Sequence, residues 1–546
     1  MGSLRHWIGT GSLMLCATSA YGGFTFNTII DDHVAISSGI ADPSAFTLAG
    51  TKQVVMGNDG SVASISFLNY GPTESPNQIT AVTLNVQVGS ANTQIVARSG
   101  DLGGAGSLAD FDTSSSENFD TFAELAIGSD GGRTITFIAS DTAGQLGVYQ
   151  ATATTTVDGR TAIQHDSGSA MYSLNTQSPS SVGIEQIHIQ INDAGQVAYQ
   201  RRDTTSTDPV DEQSFVLTGG SPSSVTDTTN AGGLNDFNSL SGYTSIYGSP
   251  EFRRIAVTST GVAVFRAANG FGQVNLYRST NLTSPLLGTD ANRDGDSLKL
   301  FSASDTAVLY SAEYTVPSQA NEVRLTYLDS GGSHVLATYD PQSQNGGPLN
   351  AVMTQDNHVA YYTPGPTLSS SASVGYYYNQ FAHTIATAGE TSTAEGYTIN
   401  QISITGNTNP MVNTRGTVVF DAVIGNEEDP EETALILWQE SSPGELKIIV
   451  KTGDLYEGNV ITAIGVDAST NQAGDVLKDG LSDDDWLAFS IIYSEYDAQT
   501  DSFIDHNAVL TVQLPEPSGL LLTVLPGLAA MRRRKCRRSL ATLAAG

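Results

Sequence analysis

The sequence predicts an all-β fold, and three observations carry that prediction. Between its two ends the chain is rich in Thr, Ser, Gly, Val and Tyr and poor in Lys and Glu, a composition that favours strands. No long stretch shows the apolar period of 3.6 residues that marks an amphipathic helix. A short phrase, a turn of Asx or Gly residues followed by an alternating apolar strand, also recurs along most of the chain.

The phrase occurs eight times, and each copy begins with a turn that favours a hairpin. The copies are Asn58-Asp59-Gly60 before SVASISF, Asp130-Gly131-Gly132 before RTITFIA, Asn192-Asp193-Ala194-Gly195 before QVAYQ, Ser259-Thr260-Gly261 before VAVFRA, Ser304-Asp305 before TAVLYSA, Asp356-Asn357 before HVAYY, Thr414-Arg415-Gly416 before TVVFDA, and Asp483-Asp484-Asp485 before WLAFS.

Two further strands follow most copies, as in LGVYQ (146–150) and KIIVKTGD (447–454), and the spacing of roughly 45 to 70 residues leaves room for a fourth. Four-stranded sheets repeated at this spacing are typical of a β-propeller, so residues 21–514 predict a single propeller of about 7–8 blades. A row of β-sandwich domains is the alternative, but it would show linkers between units. Because a ring of blades must close, we expect 24–30 to pair near the last strand, 508–514.

The N-terminal residues 1–20 predict a secretory signal peptide. Arg5 and His6 precede an apolar stretch, and small residues follow up to Ala20. The two cysteines of the chain, Cys16 and Cys536, both lie in end segments that we expect to be removed. An exported domain without disulfides must be stabilised by its buried core.

The C-terminal tail has three parts: the turn Pro515-Glu516-Pro517, a nearly uncharged run (518–531) and a basic cluster. The cluster contains Arg532, Arg533, Arg534, Lys535, Arg537 and Arg538. Fourteen helical residues rise about 21 Å, which is less than the roughly 30 Å of a hydrocarbon core. The run is thus a marginal span, which suits a signal that is held briefly and then removed better than a lasting anchor. The sequence predicts a short transmembrane sorting helix within 515–538. Because basic clusters stay cytoplasmic, it also predicts a cytoplasmic tail at 539–546.

This tail resembles the PEP-CTERM sorting signal of Gram-negative, biofilm-forming bacteria. The resemblance implies that an exosortase, a membrane-embedded cysteine protease, recognises Pro515, Glu516 and Pro517. It also implies export to the cell surface, outer membrane or extracellular matrix, with exopolysaccharide as a further partner. Residues 539–546 depart from the family, whose members usually end sooner, and an ordinary C-terminal membrane anchor is the alternative.

The repeated phrase resembles a degenerate G-x-V-A-F, I-Y, A-x-x-G-D repeat of large secreted proteins of PEP-CTERM and planctomycete type. That resemblance implies a propeller-like array and no activity.

The charge of the chain excludes two classes of partner. The net charge is −32, and it becomes more negative when the basic ends are removed. Such a surface repels nucleic acid and anionic lipid, so contact with a membrane is expected only through the tail.

One acidic segment predicts a calcium site. In Asp290, Asn292, Asp294 and Asp296 oxygen-bearing side chains alternate, with a glycine at the bend, as Ca²⁺ requires. An EF-hand would continue to a Glu at its twelfth position, which here is Phe301. An acidic turn between strands is the alternative.

Signals for catalysis are few. The histidines are scattered, with no His-Glu-x-x-His pair to hold zinc, and no Gly-x-Ser-x-Gly elbow or phosphate-binding loop is present. The sequence therefore favours a non-enzymatic binding or structural protein over a secreted carbohydrate-active enzyme on the same ring. A deep central pocket with converging carboxylates, His and Tyr would favour the enzyme.

Overall fold

The structure is a computed structural model of the whole chain. It describes residues 19–21, 24–33, 46–58, 60–70, 77–85, 93–99, 119–128, 134–141, 146–152, 160–165, 188–192, 194–203, 211–218, 221–224, 234–235, 255–269, 274–281, 284–295, 297–316, 321–340, 349–365, 372–402, 410–426, 431–465 and 480–515. The predicted signal peptide lies outside the described residues except for Ser19 and Ala20, and the predicted sorting helix and basic cluster lie outside them entirely.

The described strands form eight antiparallel sheets, and none of the described residues is helical, as the all-β prediction requires. Sheet 1 contains β3 (Phe46–Met56), β4 (Val62–Tyr70), β5 (Asn77–Asn85) and β6 (Thr93–Arg98), and sheet 2 contains β7 (Phe119–Ile127), β8 (Thr134–Asp141), β9 (Leu146–Thr152) and β10 (Arg160–His165). Sheet 3 contains β11 (His188–Ile191), β12 (Val197–Asp203), β13 (Asp211–Thr218) and β14 (Ser221–Ser224), and sheet 4 contains β15 (Leu234–Asn235), β16 (Ile255–Val257), β17 (Ala263–Asn269) and β18 (Val274–Arg278).

The second half of the chain forms sheets 5 to 8. Sheet 5 contains β19 (Lys299–Ala303), β20 (Val308–Tyr314), β21 (Glu322–Asp329) and β22 (Gly332–Tyr339), and sheet 6 contains β23 (Asn350–Met353), β24 (Val359–Thr363), β25 (Ser373–Tyr378) and β26 (Phe381–Thr387). Sheet 7 contains β27 (Thr398–Ile402), β28 (Met411–Val412), β29 (Thr417–Gly425), β30 (Glu432–Gln439) and β31 (Leu446–Lys451). Sheet 8 contains β1 (Ser19–Tyr21), β2 (Phe24–Asp31), β32 (Leu455–Tyr456), β33 (Asn459–Gly465), β34 (Trp486–Asp497) and β35 (Ser502–Gln513). Each of the eight repeated phrases supplies one strand to one sheet. The fourth strand, for which the spacing left room, precedes the turn.

The hydrophobic cores lie between consecutive sheets. Among the described residues, clusters of buried apolar side chains join sheets 1 and 2, and then each successive pair from sheets 3 and 4 to sheets 7 and 8. Another cluster joins sheet 8 to sheet 1, where Phe46 packs with Val509. Sheets 2 and 3 are also neighbours, because β7 contacts β11 and Gly128 lies beside Ile191. Since the last sheet packs on the first, the described sheets close into a ring.

The ends of the chain pair as predicted. Strand β2 is antiparallel to β35, with Phe26 opposite Val512 and Asp31 opposite Ala508. Phe26 and Phe489 are buried and meet edge to face, with 6.0 Å between ring centroids. Sheet 8 is thus built from both ends of the chain, which confirms the predicted closure.

Candidate functional site

A central cavity of about 810 Å³ is lined by residues from all eight sheets. Its wall includes residues of the strands that precede the repeated turns, such as Val55 and Val257. The turns themselves, with residues such as Asn58, Asn357 and Asp483, form its mouth. Ligand pockets commonly enclose about 300–1,000 Å³, so the cavity has the size of a binding site.

The turns at the mouth share one backbone geometry. In the turn after Asn192, the amide of Asn192 donates to the carbonyl of Gln196, and the amide of Gly195 donates to the carbonyl of Asn192. Gly195 has φ 73°, a left-handed conformation that suits glycine. The same pair of hydrogen bonds recurs with Gly60, Gly261, Asn357, Gly416 and Asp485 at the left-handed position. This is the three-residue hairpin turn with a bulge, and it explains the Asx-and-Gly signature of the phrase.

Side chains of neighbouring turns tie the mouth together. Asn58 donates to Asp483 (Nδ2···Oδ2 2.8 Å), and the Asp483 amide donates back to Asn58 Oδ1 (3.0 Å), which joins sheet 1 to sheet 8. The Thr414 amide donates to the other oxygen of Asp483 (2.9 Å) and adds sheet 7. The ring of turns is therefore a continuous polar surface at this point.

Asp305 makes a similar link between sheets 4 and 5. Its carboxylate accepts hydrogen bonds from Ser259 Oγ and from Thr260 Oγ1, the latter at 2.6 Å. Partial burial raises the pKa of Asp305, but the hydrogen bonds from Ser259, Thr260 and Thr258 outweigh it and lower the pKa to about 2. Asp305 is therefore an ionised acceptor for its neighbours.

Asp485 is the buried member of the predicted Asp483-Asp484-Asp485 turn. Its Oδ1 accepts from Asn413 Nδ2 and Thr417 Oγ1, both at 2.8 Å, and its Oδ2 from Arg415 Nη1 at 3.1 Å. These contacts give the acidic run a structural role, as its place in the turn of the repeat predicted.

His358 is the titratable group at the cavity that is best placed for chemistry. It is 4% exposed, its ring stacks on Tyr378 at 3.6 Å, and its Nδ1 lies 2.5 Å from Tyr376 Oη. Tyr376 donates its only hydroxyl proton to Glu440 (3.0 Å), so it must accept from Nδ1–H of His358. The lone pair of the neutral imidazole is therefore on Nε2.

The protonation state of His358 follows from its surroundings. Burial lowers its pKa, and the more distant charges of Glu440, Asp356 and Asp483 oppose that shift without cancelling it. Burial and the charge of Glu440 raise the pKa of Tyr376, so its proton stays in place. His358 is thus a neutral base at a cavity wall.

The predicted calcium residues do not line this cavity. Asp290, Asn292 and Asp294 are exposed, the Asn292 amide donates to Asp290 Oδ1 (3.0 Å), and the carbonyl of Asn292 accepts from Thr315. Asp296 lies outside the described residues, so calcium binding stays a prediction.

Of the predicted sorting motif, only Pro515 is described. It is exposed, and its carbonyl accepts from Gln439 Nε2 (2.7 Å). Glu516 and Pro517 lie outside the described residues. Within the described part of the chain, no helix is long and apolar enough to cross a membrane.

Sequence reasoning missed His358 as a site residue. The histidine follows a predicted turn, and its partners Tyr376 and Tyr378 belong to the Tyr376-Tyr377-Tyr378 run that was interpreted mainly as half-buried packing. Tyr376 and Tyr377 are indeed buried, but half-buried Tyr378 lines the cavity. A His and an alternating Tyr pair on adjacent strands of one repeat were the available signal.

Comparisons with known proteins give structural likenesses only. No family model and no curated protein matches the chain. It is similar to the Pyrococcus horikoshii acylaminoacyl peptidase (TM-score 0.37, 11% identity, 87% of this chain), but it spans only 54% of that protein. It is also similar to the six-bladed fungal lectin of Aleuria aurantia (TM-score 0.28, 9% identity, 74% of this chain and 96% of that one). A third likeness is an ulvan lyase (TM-score 0.30, 9% identity, 67% and 88%). The propeller assignment therefore rests on the sheet order and closure of this chain.

Proposed function

We propose that the chain is an exported propeller in which the eight sheets are the blades, and that the mouth of its central cavity binds a neutral polysaccharide without transforming it. The observation that carries the proposal is the polar mouth, to which turns from successive sheets contribute side chains around a cavity of about 810 Å³.

The mouth offers the groups that sugars require. Amides such as Asn357 and hydroxyls such as Thr306 line it beside the ring of Tyr378, so hydroxyl groups and the apolar face of a sugar both find partners. Asp305, Asp356 and Asp483 add negative charge. A uronate or sulfated chain would be repelled there, which favours a neutral exopolysaccharide.

Retention on immobilised dextran and alginate tests this proposal with the full chain. Tyr378→Ala should weaken binding to the neutral dextran about fivefold, since one stacking contact contributes about 1 kcal/mol. Phe381→Ala is the matched control, because Phe381 is 70% exposed on the adjacent strand of the same sheet, away from the cavity lining. Equal loss in both variants, or preference for alginate, would exclude the mouth as the binding surface.

Export and sorting form the second part of the proposal. Residues 1–20 direct secretion, an exosortase-type protease processes the tail at 515–538, and the protein reaches the cell surface, outer membrane or matrix. Replacement of Pro515, Glu516 and Pro517 by Ala should leave the tail attached in an exosortase-bearing host, as measured by intact mass. A tail removed at the same rate in the variant would favour another processing route.

A carbohydrate-active enzyme is the second candidate, and the His358–Tyr376–Glu440 chain favours it. A neutral His at a cavity wall, with its tautomer set by a Tyr, has the arrangement of a general base. If it acts so, wild-type protein releases oligosaccharides from dextran and His358→Gln does not. If wild-type protein retains the polymer and releases no oligosaccharide, the binding function alone stands.

Calcium at Asp290, Asn292, Asp294 and Asp296 remains part of the proposal. Titration of the full chain with Ca²⁺ should show a site that Asp290→Asn with Asp294→Asn removes. An unchanged isotherm in that variant would make the segment an acidic turn.

A further inference from the structure

A cluster of acids, histidines and tyrosines lies where the two ends of the chain meet in sheet 8. Asp31 is the last residue of β2, Asp32 and His33 follow it in a turn, and His506 and Tyr493 belong to β35 and β34. Asp31 is buried and accepts hydrogen bonds from the His33 amide (2.8 Å) and Tyr493 Oη (3.1 Å). The residues of the cluster are far apart in the sequence but close together in space, and they do not line the central cavity.

Three of these residues have the spacing of metal ligands. One donor atom each from Asp32, His33 and His506 lies within 4.8 Å of the other two, and the imidazole rings stack with centroids 4.3 Å apart. Asp32 Oδ2 is 2.8 Å from His506 Nδ1, and Asp32 Oδ1 is 3.3 Å from His33 Nδ1. Tetrahedral ligands at about 2.0–2.1 Å from zinc are about 3.3 Å from one another, so donor atoms within 4.8 Å would have to move closer by up to about 1.5 Å.

One atom in the cluster points to a ligand. Asp32 Oδ1 is buried and makes no hydrogen bond to any described residue, although His33 Nδ1 lies 3.3 Å away at ion-pair distance. A buried carboxylate oxygen without a hydrogen bond costs about 1–3 kcal/mol unless something else satisfies it. A cation held between this oxygen and the two imidazoles would do so.

The charge of the surroundings also favours a cation. Glu495 Oε2 lies 3.3 Å from His33 Nε2 and 3.7 Å from His506 Nε2, so carboxylates flank the histidine pair on both sides.

We propose that Asp32, His33 and His506 bind a divalent transition-metal ion of the zinc class that fastens the N-terminal strand to the last strand. Two imidazoles with a carboxylate are ligands that zinc accepts and that calcium and magnesium disfavour. His33 Nδ1 lies 3.0 Å from Asp31 Oδ1, so metal binding through Nδ1 would replace that hydrogen bond, while Asp31 would still accept from the His33 amide and hold this segment in place. The ion would bind the closed ring better than the open chain and so stabilise the closure.

Zinc titration of the full chain, purified without a polyhistidine tag and stripped with a chelator, tests the proposal by calorimetry and thermal unfolding. Wild-type protein should bind one equivalent at this site and unfold at a higher temperature with Zn²⁺ present. His33→Gln with His506→Gln should lower the affinity at least about 100-fold and remove the shift. His334→Gln is the matched control, because His334 also lies near an Asp (Asp329, 3.7 Å) and a Tyr ring but outside the cluster.

Asp32→Asn provides a second variant that keeps the shape of the site, and far-UV circular dichroism of the zinc-free proteins checks that each one folds. The site is established if the double His variant and Asp32→Asn both fold without zinc and lose the zinc-dependent rise in unfolding temperature, while His334→Gln keeps that rise. If wild-type protein and the folded double variant bind Zn²⁺ equally, or neither binds it, the cluster is a hydrogen-bonded network and the proposal fails.

Discussion

Substitution of Phe26 tests whether the ring is closed by the N-terminal strand. Phe26 is 4% exposed, lies opposite Val512 in β35 and meets Phe489 edge to face. Truncating a buried Phe to Ala removes its transfer free energy and leaves a cavity, which costs about 3–5 kcal/mol. Because β2 lies toward the outer part of its sheet, where the surroundings can partly collapse, we expect about 3 kcal/mol for Phe26→Ala.

Urea unfolding followed by far-UV circular dichroism measures this loss as a lower midpoint at an unchanged slope. Phe381→Ala is the control, because its side chain is 70% exposed and its removal should change the free energy of unfolding by no more than about 0.5 kcal/mol. A loss below about 1 kcal/mol for Phe26→Ala, similar to that of the control, would refute the packing of β2 in sheet 8.

Three further substitutions test the mouth. Asp485→Ala should lower the free energy of unfolding in urea by about 2 kcal/mol or more, because it leaves buried hydrogen-bond donors of sheet 7 unsatisfied. Asp484→Ala is the control and should have little effect, because the Asp484 side chain is 66% exposed. Equal effects of the two substitutions would contradict the buried network. Gly416→Ala should cost at least about 1 kcal/mol, since φ is 73° and a Cβ would lie 2.7 Å from Glu440 Oε2, whereas Gly444→Ala meets nothing within 4 Å and should be nearly neutral. For His358 the folded pKa is lowered, so the unfolded chain binds more protons; its stabilising contribution is complete above the unfolded value of about 6.5 and is lost as pH falls below it. Wild-type protein should therefore lose more stability than His358→Gln between pH 7.5 and pH 5.5, and parallel pH profiles of the urea midpoints would contradict the lowered pKa.

The sequence predicted the repeat because the turn imposes local chemistry. A hairpin turn with a left-handed residue needs Gly, Asn or Asp, and the strand after it alternates, so each unit leaves a mark such as Asn192 to Gly195 before QVAYQ. The strand before the turn is as short as Met411–Val412 and buried, so it has too few residues to show a period. For that reason the innermost strands were not predicted individually.

The candidate sites were harder to predict because they depend on contacts between distant residues. His33 and His506 are separated by nearly the whole chain, yet their rings stack once β2 joins β35. The pairing of the ends was predictable from the need to close a ring, but the register that places Asp31 opposite Ala508 was not. Without that register, no sequence pattern relates the two histidines.

Two of the six described turns that share this hydrogen-bond pattern have Asn357 or Asp485 at the left-handed position where the others have glycine, and the side chains explain the difference. A side chain there costs about 1–2 kcal/mol in backbone strain, less for Asn and Asp. Asn357 accepts from Ser304 Oγ (2.6 Å) and donates to Thr306 Oγ1 (3.0 Å), both in the preceding sheet. Asp485 accepts from three side chains of sheet 7. Hydrogen bonds between sheets therefore offset the strain, and the turns that lack glycine are ones that join neighbouring sheets at the mouth.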